Sequence, residues 1–185
     1  MDGAVAVAAS AVAAHREGGD VNIARVLRHL FAGPAGVRRA FPPESLERIE
    51  NAIAATERTH RGQIRFVVEA GLDLTDVIAG VDARERAIEV FSQQRVWDTA
   101  HNNGLLVYLL LADRNVEIVA DRGIHAPCGT AVWEQVCREM EASFRAGLFE
   151  KGVIAGIEAL ATQLEKHFPA GRAAPNELPD SPVVL

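Results

Sequence analysis

Cysteine is nearly absent from this chain: two among 185 residues, Cys128 and Cys137. They stand nine positions apart with no Cys-x-x-Cys pair, which excludes a disulfide framework and a cysteine-based zinc site. Cys137 falls on the apolar face of an expected helix and reads as a reduced core thiol. Aromatic residues make up only 5%, and no run of lysine and arginine is interleaved with them. With a formal net charge of -6, the chain lacks the basic surface of a nucleic-acid binder. No apolar run approaches the roughly 20 residues of a membrane-spanning helix. The N-terminus, Met1-Asp-Gly-Ala-Val-Ala-Val-Ala-Ala-Ser, is apolar but lacks a basic start, so it is a poor signal peptide and a cytoplasmic protein is expected. Also missing are a Gly-x-Ser-x-Gly elbow, a Cys-x5-Arg loop and a Walker loop. A nucleophilic or nucleotide-cradling mechanism therefore has no recognisable seat.

What is present is centred on Trp97–Gly123. Leu105-Leu-Val-Tyr-Leu-Leu-Leu111 is a continuous apolar run of strand length, as expected for a strand covered on both faces. Val116-Glu-Ile-Val-Ala120 is rich in strand formers, and Asp113-Arg114-Asn115 is the short polar link of a hairpin. Folding back carries Asp98, Asn102 and Asn103 toward Asp121 and Arg122, and leaves Asp113 and Arg114 at the opposite tip. Asp98, Asn102, Asn103 and Asp121 offer hard oxygens of the kind that bind Ca²⁺ or Mg²⁺. The same residue types also suit turns and helix caps, and both readings stand at this point. His101 can act as acid or base. Arg122 can take a phosphate oxygen or pair with a surface carboxylate. Asp113-Arg114-Asn115 reads as a plain turn more readily than as a ligand site.

The rest of the chain follows in order. Residues 1–20 are Ala-rich and then polar, and are expected to be a disordered extension. Residues 21–41 hold an amphipathic helix and a linker; Ile23, Val26, Leu27, Leu30 and Phe31 recur at helical spacing. That helix either packs on the body or meets a protein partner or a membrane surface through residues 21–31. Pro43 can open a helix with Ile49 and Ile53 inward, and Gln63–Ala70 reads as a strand. Gly71–Gly80 is expected as a loop or short turn. A helix capped by Asp82 should run to about Val96, with Trp97 closing its end against the core. Because a helix joins the Gln63 and Leu105 strands, they should be parallel. Ile124–Gly129 is expected as a loop, then helices over about 131–146 and 149–167. Residues 169–185 read as a Pro-rich tail.

Asn102-Asn-Gly-Leu-Leu-Val-Tyr-Leu-Leu-Leu-Ala-Asp-Arg-Asn115-Val-Glu-Ile-Val, with a glycine soon after, resembles the central signature of TPM domains. These are the domains of the thylakoid-lumen acid-phosphatase-like proteins and their bacterial relatives. Phe144-Arg-Ala-Gly-Leu-Phe-Glu-Lys-Gly152 is similar to the family's Phe-Arg-x-Gly-x-aromatic-x-x-Gly stretch before its last helix. The resemblance covers about residues 42–168. It implies a three-layer α/β/α sandwich: a small mixed sheet around a central β-hairpin, with flanking helices. It also implies phosphatase activity, proposed for the plant member, and divalent-cation binding, seen in some members. Where the family has Gly-aromatic-Gly after the second hairpin strand, this chain has Asp121-Arg122-Gly123. Two functions are carried forward. In the first, Asp98, Asn102, Asn103 and Asp121 hold a cation, Asp98, His101 and Arg122 serve catalysis, and the substrate is a phosphate ester. In the second, the chain is a non-catalytic cation-binding or protein-interaction module, cytoplasmic or associated with a membrane surface.

Overall fold

Every side chain of strand β2 (Gly104–Leu110) is buried, and successive residues serve opposite faces of one sheet. Leu105, Val107 and Leu109 enter one core; Leu106, Tyr108 and Leu110 enter the other. This two-sided burial is why the strand reads as an unbroken apolar run rather than an alternating one. The computed structural model describes residues 22–171 and 176–185, so the extension expected over 1–20 lies outside the described residues.

Strand β1 (Gln63–Glu69) pairs with β2 in parallel, and β2 pairs with β3 (Asn115–Ala120) as the antiparallel hairpin. The segment expected to be a tail contributes β4 (Val183–Val184), parallel to β1, and the sheet order is β3-β2-β1-β4. The approach to β4 is tied down by side chains of β1 and its start. Gln63 Oε1 accepts the backbone N–H groups of Glu177 (2.6 Å) and Leu178 (3.0 Å). Arg65 Nη1 donates to the carbonyls of Pro179 and Ser181. One sheet edge is thereby covered. At the other edge, Arg84 donates to the Ile118 carbonyl and Glu141 accepts the Val116 N–H, so side chains occupy ladder positions of β3.

Helices α2 (Pro34–Ala40), α3 (Pro43–Thr56), α6 (Arg122–Cys128), α7 (Thr130–Arg145) and α8 (Phe149–His167) fill the thicker layer. Helices α4 (Leu74–Ala79) and α5 (Ala83–Gln93) fill the thinner one, and α1 (Ile23–Leu30) lies against α4. Mixed sheet and two helical layers make the expected α/β/α sandwich. No helix among the described residues is long and apolar enough to cross a membrane.

Three local expectations change. Gly71–Gly80 contains α4, six residues long and ended by Gly80 at φ +81°. Ile124–Gly129 lies within and just beyond α6, in which Pro127 is the penultimate residue and the helix ends one residue later at Cys128. Trp97 does not close α5 against the core: its exposure is 47%, and Val96 takes the buried place.

Gly104 starts β2 directly beneath the Val96 carbonyl; a Cβ there would lie 1.9 Å from that oxygen. Both atoms belong to backbone and neither can swing aside. Gly104→Ala should therefore cost about 3 kcal/mol, read as a lower urea midpoint at unchanged slope.

Candidate functional site

The hairpin has two polar ends, and they differ in what their side chains are already doing. At its base, Asp121 donates its backbone N–H to the Gly104 carbonyl (2.9 Å), so the fold does carry Asp121 to the start of β2. Gly123 packs so closely there that a Cβ would meet the Asn102 carbonyl at 2.4 Å. Asn102 adopts the left-handed conformation (φ 52°), and its Oδ1 accepts from Arg122 Nη2 at 3.2 Å. Asn103 is buried. Its backbone N–H donates to Thr99 Oγ1, and its Nδ2 donates to the Arg61 carbonyl. Asp121 Oδ1 accepts the Arg122 N–H at 2.6 Å and caps α6. Burial pushes the Asp121 carboxyl above the ordinary aspartate value, against the pull of the Arg122 N–H and guanidinium. Two oxygens at this end, Asn103 Oδ1 and Asp121 Oδ2, are buried without a hydrogen-bond partner. Asp98 faces away into an exposed pair with Arg95 (3.0 Å), and the His101 side chain is exposed. Among the described residues no group of three or more His, Cys, Asp or Glu is placed to hold a metal ion.

At the tip, a single carboxylate gathers three donors. Asp113 Oδ2 accepts from Arg25 Nε at 3.0 Å and from His29 Nε2 at 3.1 Å; Oδ1 accepts from Arg28 Nη2 at 2.9 Å. All three donors come from α1, more than 80 residues earlier in the chain. His29 Nδ1 accepts the Leu72 N–H (2.9 Å), so the ring proton sits on Nε2 and points at Asp113. Arg25 also donates to the Val81 carbonyl at 2.8 Å. Burial alone would raise the Asp113 carboxyl, but the hydrogen bonds from Arg28, Arg25 and His29 outweigh it and hold the group below its ordinary value.

This clasp makes one wall of a cleft of about 630 Å³. Ala70, Leu111 and Ala112 form its floor where β1 and β2 end. Clefts at the carboxyl ends of parallel strands are the usual ligand sites of α/β sheets. Arg28, Arg39 and Arg114 line it, and Asp113 is the lone carboxylate, its oxygens already engaged by α1. Among the described residues neither Arg39 nor Arg114 makes an ion pair. Arg114 is held at φ 50°, a conformation that costs a side-chain-bearing residue about 1 kcal/mol, and its guanidinium stands 6.0 Å over the Phe149 ring. The lining contains no hydroxyl, thiol or imidazole.

The base thus brings Asn102, Asn103, Asp121 and Arg122 to one end of the hairpin, and Asp98 and His101 are turned to other tasks or to solvent. Phe149 is the aromatic of the Phe144–Gly152 stretch, whereas Arg28 and Arg39 belong to no motif in the sequence. One signal was available: from Val21 to Pro43 the chain has four arginines and no carboxylate.

A family model described as the TPM domain matches residues 38–163. The NMR structure of BA42 protein from the psychrophilic bacterium Bizionia argentinensis is similar to this chain, with a TM-score of 0.69 and 27% identity over 78% of this chain and 94% of that one. No curated protein matches. Arg39, Asp113, Arg114 and Phe149 fall inside the matched span; α1 and its Arg28 precede it.

Because the folded-state carboxyl of Asp113 is depressed, its contribution to stability is present above about pH 4 and disappears as the pH falls through the lower folded value. Asp113→Asn should cost about 2 kcal/mol at pH 7, less than a fully buried pair because solvent reaches the carboxylate. The gap from the parent protein in urea unfolding should narrow below about pH 4; a gap independent of pH would contradict the assignment.

Proposed function

The chain belongs to the TPM-domain family, and on that premise we propose that it binds phosphate-bearing ligands in the arginine-lined cleft at the hairpin tip. The observation that carries this is the pair Arg39 and Arg114, two guanidiniums without an ion-pair partner among the described residues, beside a carboxylate that α1 has already satisfied. Guanidinium forks match a phosphate dianion with two parallel hydrogen bonds each. The strained backbone of Arg114 supports the same reading, since glycine would hold that turn more cheaply and supply no cation. The apolar floor and the Phe149 ring suit the organic part of an ester.

Binding has more support here than hydrolysis. No nucleophile or proton donor lines the cleft, and ester cleavage through Asp98, His101 and Arg122 would require Asp98 to leave Arg95 and His101 to turn inward. A second reading keeps a divalent cation at the hairpin base and a hydrolytic role with it. It rests on the unpaired buried oxygens Asn103 Oδ1 and Asp121 Oδ2, hard donors of the kind Ca²⁺ and Mg²⁺ take. Arg122 would have to release Asn102 for that amide oxygen to join them.

One calorimetric series separates the readings. Titrated with p-nitrophenyl phosphate, the parent protein should bind, and Arg39→Ala and Arg114→Gly should each weaken binding about tenfold. Arg114→Gly should do so with unfolding stability unchanged or raised by up to about 1 kcal/mol. Equal affinity in parent and both variants would remove the cleft as the site. Release of p-nitrophenolate only when Ca²⁺ or Mg²⁺ is present, and lost in Asp121→Asn, would favour the second reading.

A further inference from the structure

Helix α1 is mounted inside out. Its anchoring face is polar, with His29 buried and Arg25 and Arg28 reaching Asp113. Its apolar stripe points to solvent: Ile23 is 71% exposed, Leu27 47%, Leu30 52% and Phe31 82%. Helix α4 packs beside it and adds Leu74 and Ile78, the latter 60% exposed. Six large apolar side chains are thus exposed on two touching helices, a concentration of the kind soluble proteins keep for an interaction. Lining the cleft and covering the core do not require any of the six, so the patch is unexplained by the ligand site.

Charge decides what covers it. Helices α1 and α2, α4 with its cap Asp73, and the hairpin tip together carry five arginines against three aspartates, in a chain whose net charge is -6. Arg38 and Arg39 are exposed on α2, next along the chain from Phe31. We infer that α1 and α4 dock this protein on an anionic lipid bilayer, with Ile23, Leu27, Leu30 and Phe31 entering the headgroup boundary and Arg38, which is outside the cleft lining, meeting lipid phosphates. An exposed apolar stripe bordered by arginine is the signature of an interfacial helix, and each cation near an anionic surface adds to the attraction. The inference goes beyond ligand binding in the cleft and does not depend on it.

The test is cosedimentation of the full chain with vesicles of phosphatidylcholine alone or mixed with phosphatidylglycerol. Binding should require phosphatidylglycerol and weaken as salt rises. The double variant Leu27→Ser/Phe31→Ser should partition at least about tenfold more weakly. Both positions are exposed, so its circular dichroism and its affinity for the cleft ligand should match the parent. Failure to sediment with the mixed vesicles would overturn the inference, as would partition unchanged by the double substitution. So would a concentration-dependent dimer, seen by light scattering, that the double variant abolishes.

Discussion

One carboxylate at the hairpin tip holds that end of the molecule together. Asp113 has oxygens for a few strong hydrogen bonds and receives them all from a single short helix. Helix α1 has little apolar contact to fix it: Val26 is the apolar side chain it sends toward the thinner core, and its larger ones face outward. An eight-residue helix is not stable in isolation, so its position must come from tertiary contacts. Here those contacts are polar: three donors on Asp113, the Arg25 bond to the Val81 carbonyl and the Leu72 N–H bond to His29. The chain therefore places a polar clasp where most surface helices place an apolar stripe, and the displaced stripe becomes free to do something else.

The clasp also sets the electrostatics of the cleft. Were Asp113 unpaired, its charge would neutralise Arg114 and repel an anion. Consumed by Arg25, Arg28 and His29, it leaves a cavity whose remaining side chains are cationic or apolar. The rest of the fold is conventional support. The buried pair of Glu69 with Arg86, and the Tyr108 hydroxyl at 2.6 Å from Glu69, satisfy the polar groups beneath the thinner layer. The two apolar cores on either face of β2 fix the sheet that carries the tip.

Much of the fold was legible because its signals are local. The seven-residue apolar run announced β2, and Gly147 followed by apolar residues at helical spacing gave the bounds of α8. The failures were local too. Pro127 disguised α6, and the glycines around α4 disguised a helix of a turn and a half. Trp97, expected to close α5 against the core, is exposed because Val96 takes the buried place after Arg95, which adopts φ 54°. The cleft was illegible for a different reason. Periodicity located the stripe of α1 but carries no information about which face turns inward. That choice depends on Asp113, 84 to 88 residues away, and on an imidazole whose second nitrogen is satisfied by Leu72. At the base, by contrast, the sequence offered both a gathering of Asp98, Asn102, Asn103 and Asp121 and a set of turns and caps; the structure shows the cap and turn hydrogen bonds on Asp121 and Asn103 and turns Asp98 to Arg95.

The most direct test of this account is a carbon-13 NMR titration of the Asp113 carboxyl, followed together with the amides of α1. A midpoint below the ordinary aspartate value near 3.8 is predicted, with the α1 amides shifting in step as the carboxyl protonates. A midpoint at or above that value, with α1 undisturbed, would contradict the claim that this one carboxylate holds the helix and shapes the cleft.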